Sequence, residues 1–234
     1  MMYQIIMKSE SLQKTELWKE RIELLEELAR EITPQYESST VGKLIGLPIK
    51  ELKNEYLLLE QVPGLVRALI DTLEPTYVRE NKEELNSRLL RVFNGKNIVE
   101  IGCGPGLFHP FFRHYGAKIT GVEINPRFTV GLGIYSPEYF RIIAESSNNK
   151  KDIVFSCRVF NETNELNREA LIYNPLSWLK VGGILMHYAL SGQLNKQWEN
   201  VEEMSKGKLH LLEFYNENEI GGIGEYAIWR KIRE

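Results

Sequence analysis

The stretch Val99-Glu100-Ile101-Gly102-Cys103-Gly104-Pro105-Gly106 decides the fold. Ile98, Val99 and Ile101 make a short apolar run with the character of a buried strand, and the run ends abruptly in alternating glycines. The residues from Leu107 to Tyr115 read as a helix closed by Gly116, and Ile119, Gly121 and Val122 then form a second strand that ends at Glu123. Strand, helix and strand within some thirty residues is the βαβ unit of a parallel sheet.

In an open parallel sheet the ligand sits at the carboxyl ends of the strands, where the first turn brings backbone close to it, and glycine permits that approach. Gly102, Gly104 and Gly106 follow a G-x-G-x-G spacing. The dinucleotide pattern is G-x-G-x-x-G, and Leu107 occupies the place of its last glycine. A nicotinamide-dependent oxidoreductase is disfavoured on that ground. Glu123 lies 21 residues after Gly102, at the end of the second strand, where a carboxylate can accept hydrogen bonds from two ribose hydroxyls. Glu100 is a carboxylate inside an apolar strand and needs a charged or hydrogen-bonding partner; a ligand ammonium would serve.

Together with Thr120-Gly121-Val122-Glu123, this stretch resembles the class I S-adenosylmethionine-dependent methyltransferases, over about residues 97–234. The resemblance implies a doubly wound, Rossmann-like α/β sheet, mostly parallel with a closing antiparallel hairpin, and S-adenosylmethionine as cofactor. It assigns Gly102, Cys103, Gly104 and Gly106 to the turn beneath the cofactor, Glu100 to the amino group and Glu123 to the ribose. Adenine contacts would fall on Ile124 and Asn125.

Asp152 to Cys157 is similar to the family's fourth strand, and Leu179-Lys180-Val181-Gly182-Gly183 to the turn before its fifth, which would run from Ile184 to Leu190. Lys208 to Tyr215 and Glu225 to Ile232 read as the hairpin. A helix is expected over Thr163 to Leu179 and another around Gln193 to Met204. Only 28 residues separate Glu123 from Asp152, and they contain a helix start at Ser136-Pro137-Glu138 but no legible third strand. That edge of the sheet is expected to be missing or remodelled.

Residues 1–96 form an all-helical region, separate from the 97–234 domain. Trp18, Ile22, Leu25, Leu28 and Ile32 recur at helical spacing and Pro34 marks the exit. Ile49 to Leu59 reads as helical, Pro63-Gly64 as punctuation, and Leu65, Ala68, Leu69 and Leu73 as one face of a further helix. The last helix is expected from Val78 to Phe93, stopping at Gly95. This region could form a lid or substrate-selecting cap, with Tyr36, Tyr56 and Tyr77 either lining a cleft wall or packing between helices.

The composition is that of an ordinary globular protein: 234 residues, 43% apolar and 26% charged. With 29 basic and 32 acidic side chains the net charge is −3, which disfavours nucleic acid as partner and leaves a small molecule as the expected acceptor. Two cysteines, Cys103 and Cys157, do not make a disulfide framework and suit the cytoplasm. The apolar stretch before Ser11 is too short and polar for a membrane span. His109 and His114 lie five apart with no second cluster, so no metal site is expected.

Methyl transfer from a sulfonium is an in-line displacement that positioning alone can promote, so no catalytic residue is demanded. Arg158, Asn161 and Glu162, after the fourth strand, are the polar groups best placed to face acceptor. His187, in the fifth strand beside Tyr188, reads as a structural histidine. Asn174-Pro175-Leu176 superficially matches the N-P-P-Y motif of amino-methylating relatives but falls too close to the fifth strand, and reads as a helix interruption. A non-catalytic cofactor- or partner-binding module is the alternative reading.

Overall fold

Trp18, Leu25, Leu28 and Ala29, spaced to share one helical face, are buried along a first helix that runs unbroken from Met2 to Ile32 (α1). The structure is a computed structural model that describes residues 2–32, 62–104, 106, 108–123, 134–136, 150–157, 174–190, 201–216 and 224–234. The chain divides into two compact units, Met1–Asn94 and Gly95–Glu234.

In the first unit α1 packs on α2 (Val62–Leu73), and α3 (Lys82–Phe93) meets both. Pro63 and Gly64 lie in the first turn of α2 rather than ahead of it, where a missing N–H costs no helical bond. The third helix starts four residues later than its apolar spacing suggests. Asn81 accepts the Glu84 N–H at 3.0 Å while Glu84 accepts the Asn81 N–H at 2.9 Å, and this reciprocal cap fixes the start at Lys82. Beneath the apolar contacts lies a buried charge cluster. Arg21 donates to Asp71 and to Glu80, each at 2.8 Å, Arg88 donates to the same two carboxylates at the same distance, and Arg67 sits 4.2 Å above the Trp18 ring. The helix expected over Ile49–Leu59, and Tyr36 and Tyr56, lie outside the described residues. Tyr77 is exposed and does not pack between helices.

The second unit is built on a seven-stranded sheet: β1 (Asn97–Ile101), β2 (Lys118–Val122), β3 (Ile134–Tyr135), β4 (Lys151–Cys157), β5 (Leu179–Leu190), β6 (Leu209–Asn216) and β7 (Gly224–Lys231). The spatial order is β3-β2-β1-β4-β5-β7-β6. Neighbours from β3 to β5 pair in parallel, and β7 runs antiparallel between β5 and β6. This is the doubly wound, mostly parallel sheet with a closing hairpin that the sequence implies.

Two expectations are corrected. A third strand exists: Ile134 and Tyr135 pair with Gly121 and Val122, and two residues are too few to show a period of two in sequence. The fifth strand begins at Leu179 rather than Ile184. Lys151 pairs with Leu179 and Ile153 with Ile184, so the intervening residues make a bulge inside the strand, with Gly182 at φ 83°. Residues 174–178 are helical and include Pro175; the rest of the helix expected over Thr163–Leu179 lies outside the described residues. Of the helix expected around Gln193–Met204, Val201–Met204 is described as α5.

Register sorts the core into two layers. Val99, Val154, Leu185 and Trp229 align across the sheet and pack with Trp178, Val201 and Leu209 on one face. The next row is Glu100, Phe155, Met186 and Ile228, which alternation turns to the other face. There α4 (His109–His114) covers the sheet, and Phe108 and Phe112 lie 6.4 and 5.5 Å from Phe155, ring centre to ring centre. Glu100 is the polar member of an otherwise apolar row.

Candidate functional site

The order of the strands reverses between β1 and β4. The chain builds outward from β1 through β2 to β3, then returns to lay β4 against the other side of β1. Such a switch point leaves a crevice beyond the carboxyl ends of the two strands, because the connections leave in opposite directions. The turn 102–106 leaves β1 at that point.

Its backbone depends on glycine. Gly102, Gly104 and Gly106 hold φ of 65°, 51° and 73°, in the left-handed region that costs other residues about 1–2 kcal/mol. Hydrogen bonds from Gly102 N–H to Val122 C=O (2.7 Å) and from Gly106 N–H to Cys103 C=O (2.8 Å) fix the turn, and His109 N–H caps it on Gly106 C=O at 3.1 Å. A side chain at Gly106 would meet the His109 ring, with Nδ1 at 3.0 Å. One at Gly104 would meet no atom of the described residues within 4 Å, so this glycine presents an open face to them.

Glu123 and Glu100 converge on this turn from the ends of β2 and β1. Glu123 Oε2 accepts the Gly104 N–H at 2.8 Å, and the side chain is nearly buried. A carboxylate has about four acceptor positions, so one such bond is compatible with accepting ribose hydroxyls as well. Glu100 is 2% exposed, and its Oε2 lies 3.2 Å from His109 Nε2 without the alignment of a hydrogen bond. Burial raises the Glu100 carboxyl above the usual range, the neighbouring Glu123 charge adds to this, and His109 opposes it. Burial also pushes the Cys103 thiol up, with Glu100 and Glu123 reinforcing the effect, so Cys103 stays protonated and is no nucleophile.

The residues named from sequence thus fall into three groups. Glu100, Gly102, Cys103, Gly104, Gly106 and Glu123 are brought together. Ile124, Asn125, Arg158, Asn161 and Glu162 lie outside the described residues. His187 is buried on β5, with Nδ1 2.7 Å from Ser156 Oγ and its ring edge-on to Trp229, and Tyr188 is buried beside it. Residue His109 was missed as part of the site: its distance from Glu100 in sequence carries no motif, and only the fold of the turn brings the two together. Among the described residues no group of three or more His, Cys, Asp or Glu side chains is placed to hold a metal, and no helix is long and apolar enough to cross a membrane.

No family model matches the chain. It is 26% identical over 142 residues to a ubiquinone biosynthesis O-methyltransferase of Bradyrhizobium sp. (strain ORS 278), a match over 56% of this chain that spans about half, 54%, of the relative's length. Among solved structures it is similar to a TehB-like S-adenosylmethionine-dependent methyltransferase from Corynebacterium glutamicum (TM-score 0.47, 17% identity, 62% of this chain and 86% of that one). It is also similar to the N-methyltransferase NodS from Bradyrhizobium japonicum (TM-score 0.43, 18% identity, 65% and 97%). In its glycine turn, the acid that ends β2 and the order of its strands, the chain resembles the class I S-adenosylmethionine-dependent methyltransferases.

Proposed function

We propose that the chain binds S-adenosylmethionine on the 102–106 turn and transfers its methyl group to a small-molecule acceptor. The observation that carries this reading is the convergence of two buried carboxylates, Glu100 and Glu123, on an open glycine turn at the β1/β4 switch point. The residues suit the cofactor. Glu100 holds an oxygen without a hydrogen-bond partner, which an ammonium would satisfy, and Gly104 leaves room for a ligand to approach the backbone. The methyltransferase among its relatives supports the same class of chemistry.

Bound there, the cofactor supplies an electrophilic methyl on a sulfonium. The chain's own contribution is positional. Glu123 would hold the ribose end and Glu100 the amino-acid end, and an acceptor would have to meet the methyl in line at roughly 3–3.5 Å. Phe108 and Phe112 pack on Phe155 on the face that carries Glu100, and the apolar surroundings of this buried carboxylate strengthen its hold on a cation. A net charge of −3, which gives a polyanion no general attraction, favours a small-molecule acceptor over nucleic acid. Two buried cysteines outside any disulfide suit a cytoplasmic setting.

The test is a calorimetric titration with S-adenosylhomocysteine, followed by transfer of a labelled methyl across a metabolite extract. The wild-type chain should bind at micromolar strength, and Gly104→Arg, which fills the open face, should bind none. Binding unchanged by Gly104→Arg removes the site. Binding without any labelled product identifies a cofactor-holding module instead of an enzyme.

A further inference from the structure

Glu100 and His109 form a buried pair that methyl transfer does not use. Their facing atoms, Oε2 and Nε2, are 3.2 Å apart, each residue is 2% exposed, and neither atom has a hydrogen-bond partner among the described residues. His109 is the first residue of α4, and its N–H bond to Gly106 and its ring beneath that glycine tie it to the turn that would carry the cofactor. A carboxylate so enclosed needs a counter-charge, and the pair can supply one itself by keeping a proton. It does so either as imidazolium with carboxylate or as imidazole with carboxylic acid, one proton being held between the two groups.

We propose that His109 is a positioning residue that acts as the resident counter-ion of Glu100, so that binding of the cofactor's ammonium expels one proton from the Glu100–His109 pair. The inference rests on the reading of Glu100 as the ammonium site. With one proton held, Glu100 and His109 together are already neutral, and an arriving ammonium adds an uncompensated charge beside this buried pair. Releasing one proton to solvent restores neutrality, with one positive charge gained and one lost. Among the described residues no other group nearby takes this part. Glu123 and Cys103 are the other ionisable residues whose charge bears on the pair; the first is an acid bonded to Gly104, and the second is held as a thiol. In register beside Glu100 stand Gly121 of β2 and Phe155 of β4, and the remaining ionisable residues of α4, Arg113 and His114, are exposed.

The experiment is calorimetric titration of the full chain with S-adenosylhomocysteine in buffers of different ionisation enthalpy. The range is about pH 5.5 to 7, where imidazoles titrate and an α-ammonium keeps its charge. The wild-type chain should release close to one proton per ligand at the acid end, and its affinity should rise by up to about tenfold per pH unit there. His109→Gln keeps the size and removes the titrating ring, so it should shift or flatten that profile while still binding. Glu100→Gln should bind more weakly and release none. A wild-type release near zero overturns the inference, and this count needs no variant to fold. So does a His109→Gln profile superimposable on the wild type, which would assign the proton to Glu100 alone. No binding at any pH overturns the cofactor reading along with it, whereas binding without proton release overturns the inference alone.

Discussion

Glu123 Oε2 accepts the backbone N–H of Gly104 at 2.8 Å, so the acid that ends β2 is fastened to the turn that leaves β1. One carboxylate therefore shapes the turn and is also the residue assigned to the ribose. Glu123→Ala should weaken S-adenosylhomocysteine binding about 10- to 100-fold, the loss expected when a hydrogen bond to a charged group, about 1.5–3 kcal/mol, is removed. Calorimetry gives the ratio, and equal affinities would detach Glu123 from the site.

The three left-handed glycines are not equivalent. Gly104→Ala meets no atom and should cost only the backbone strain, about 1–2 kcal/mol. Gly106→Ala carries the same strain and also drives its Cβ into the His109 ring. Thermal unfolding should rank Gly106→Ala clearly below Gly104→Ala, which in turn falls below the wild type.

Glu100 and Asp152 should act on stability with opposite sign. The Glu100 carboxyl is raised in the folded chain, chiefly by burial, so its contribution is fully present below the unfolded carboxylate pKa and is lost as pH rises through the folded one. Glu100→Gln should therefore raise the unfolding free energy at neutral pH while weakening cofactor binding. For Asp152 burial works to raise the carboxyl, but the bonds from Lys180 and from Asn97 N–H outweigh it and hold it below the usual range. Its contribution is present above the unfolded pKa, about 3.9, and is lost as pH falls through the folded one. Urea titrations of Glu100→Gln and Asp152→Asn between acid and neutral pH check both signs.

In the helical unit, Arg88 and Arg21 share Asp71 and Glu80. Arg88→Ala removes two bonds to partly buried carboxylates that Arg21 still serves, and should cost about 1.5–3 kcal/mol. The double variant with Arg21→Ala should depart from additivity, since both arginines serve one network. Chemical denaturation of the four chains measures the coupling.

The sheet was largely legible in sequence because its central strands are buried on both faces and the first of them ends in glycines. Ile98 to Ile101 and Ile153 to Cys157 are apolar runs of that kind, and Glu123 marks the end of β2. The edge was not legible: β3 has two residues, too short for any pattern. The entry into β5 misled, since Gly182-Gly183 signals a turn in sequence and forms a bulge within the strand. At the start of α3 the apolar spacing pointed to Val78, whereas the Asn81–Glu84 cap, present in the sequence, fixed Lys82. The carboxylates of the site followed from position on strands. His109 did not, because its place beside Glu100 is created by three alternating left-handed glycine positions, and no spacing rule encodes that approach.

The central claim, that Glu100 and Glu123 hold the two ends of one adenosyl cofactor over the glycine turn, is tested most directly by a crystal structure grown with S-adenosylhomocysteine. The ligand should lie against Gly102, Gly104 and Gly106, with ribose hydroxyls within hydrogen-bond distance of Glu123 and the ammonium on the Glu100 side. Ligand density elsewhere, or over the turn with neither carboxylate in contact, would contradict it.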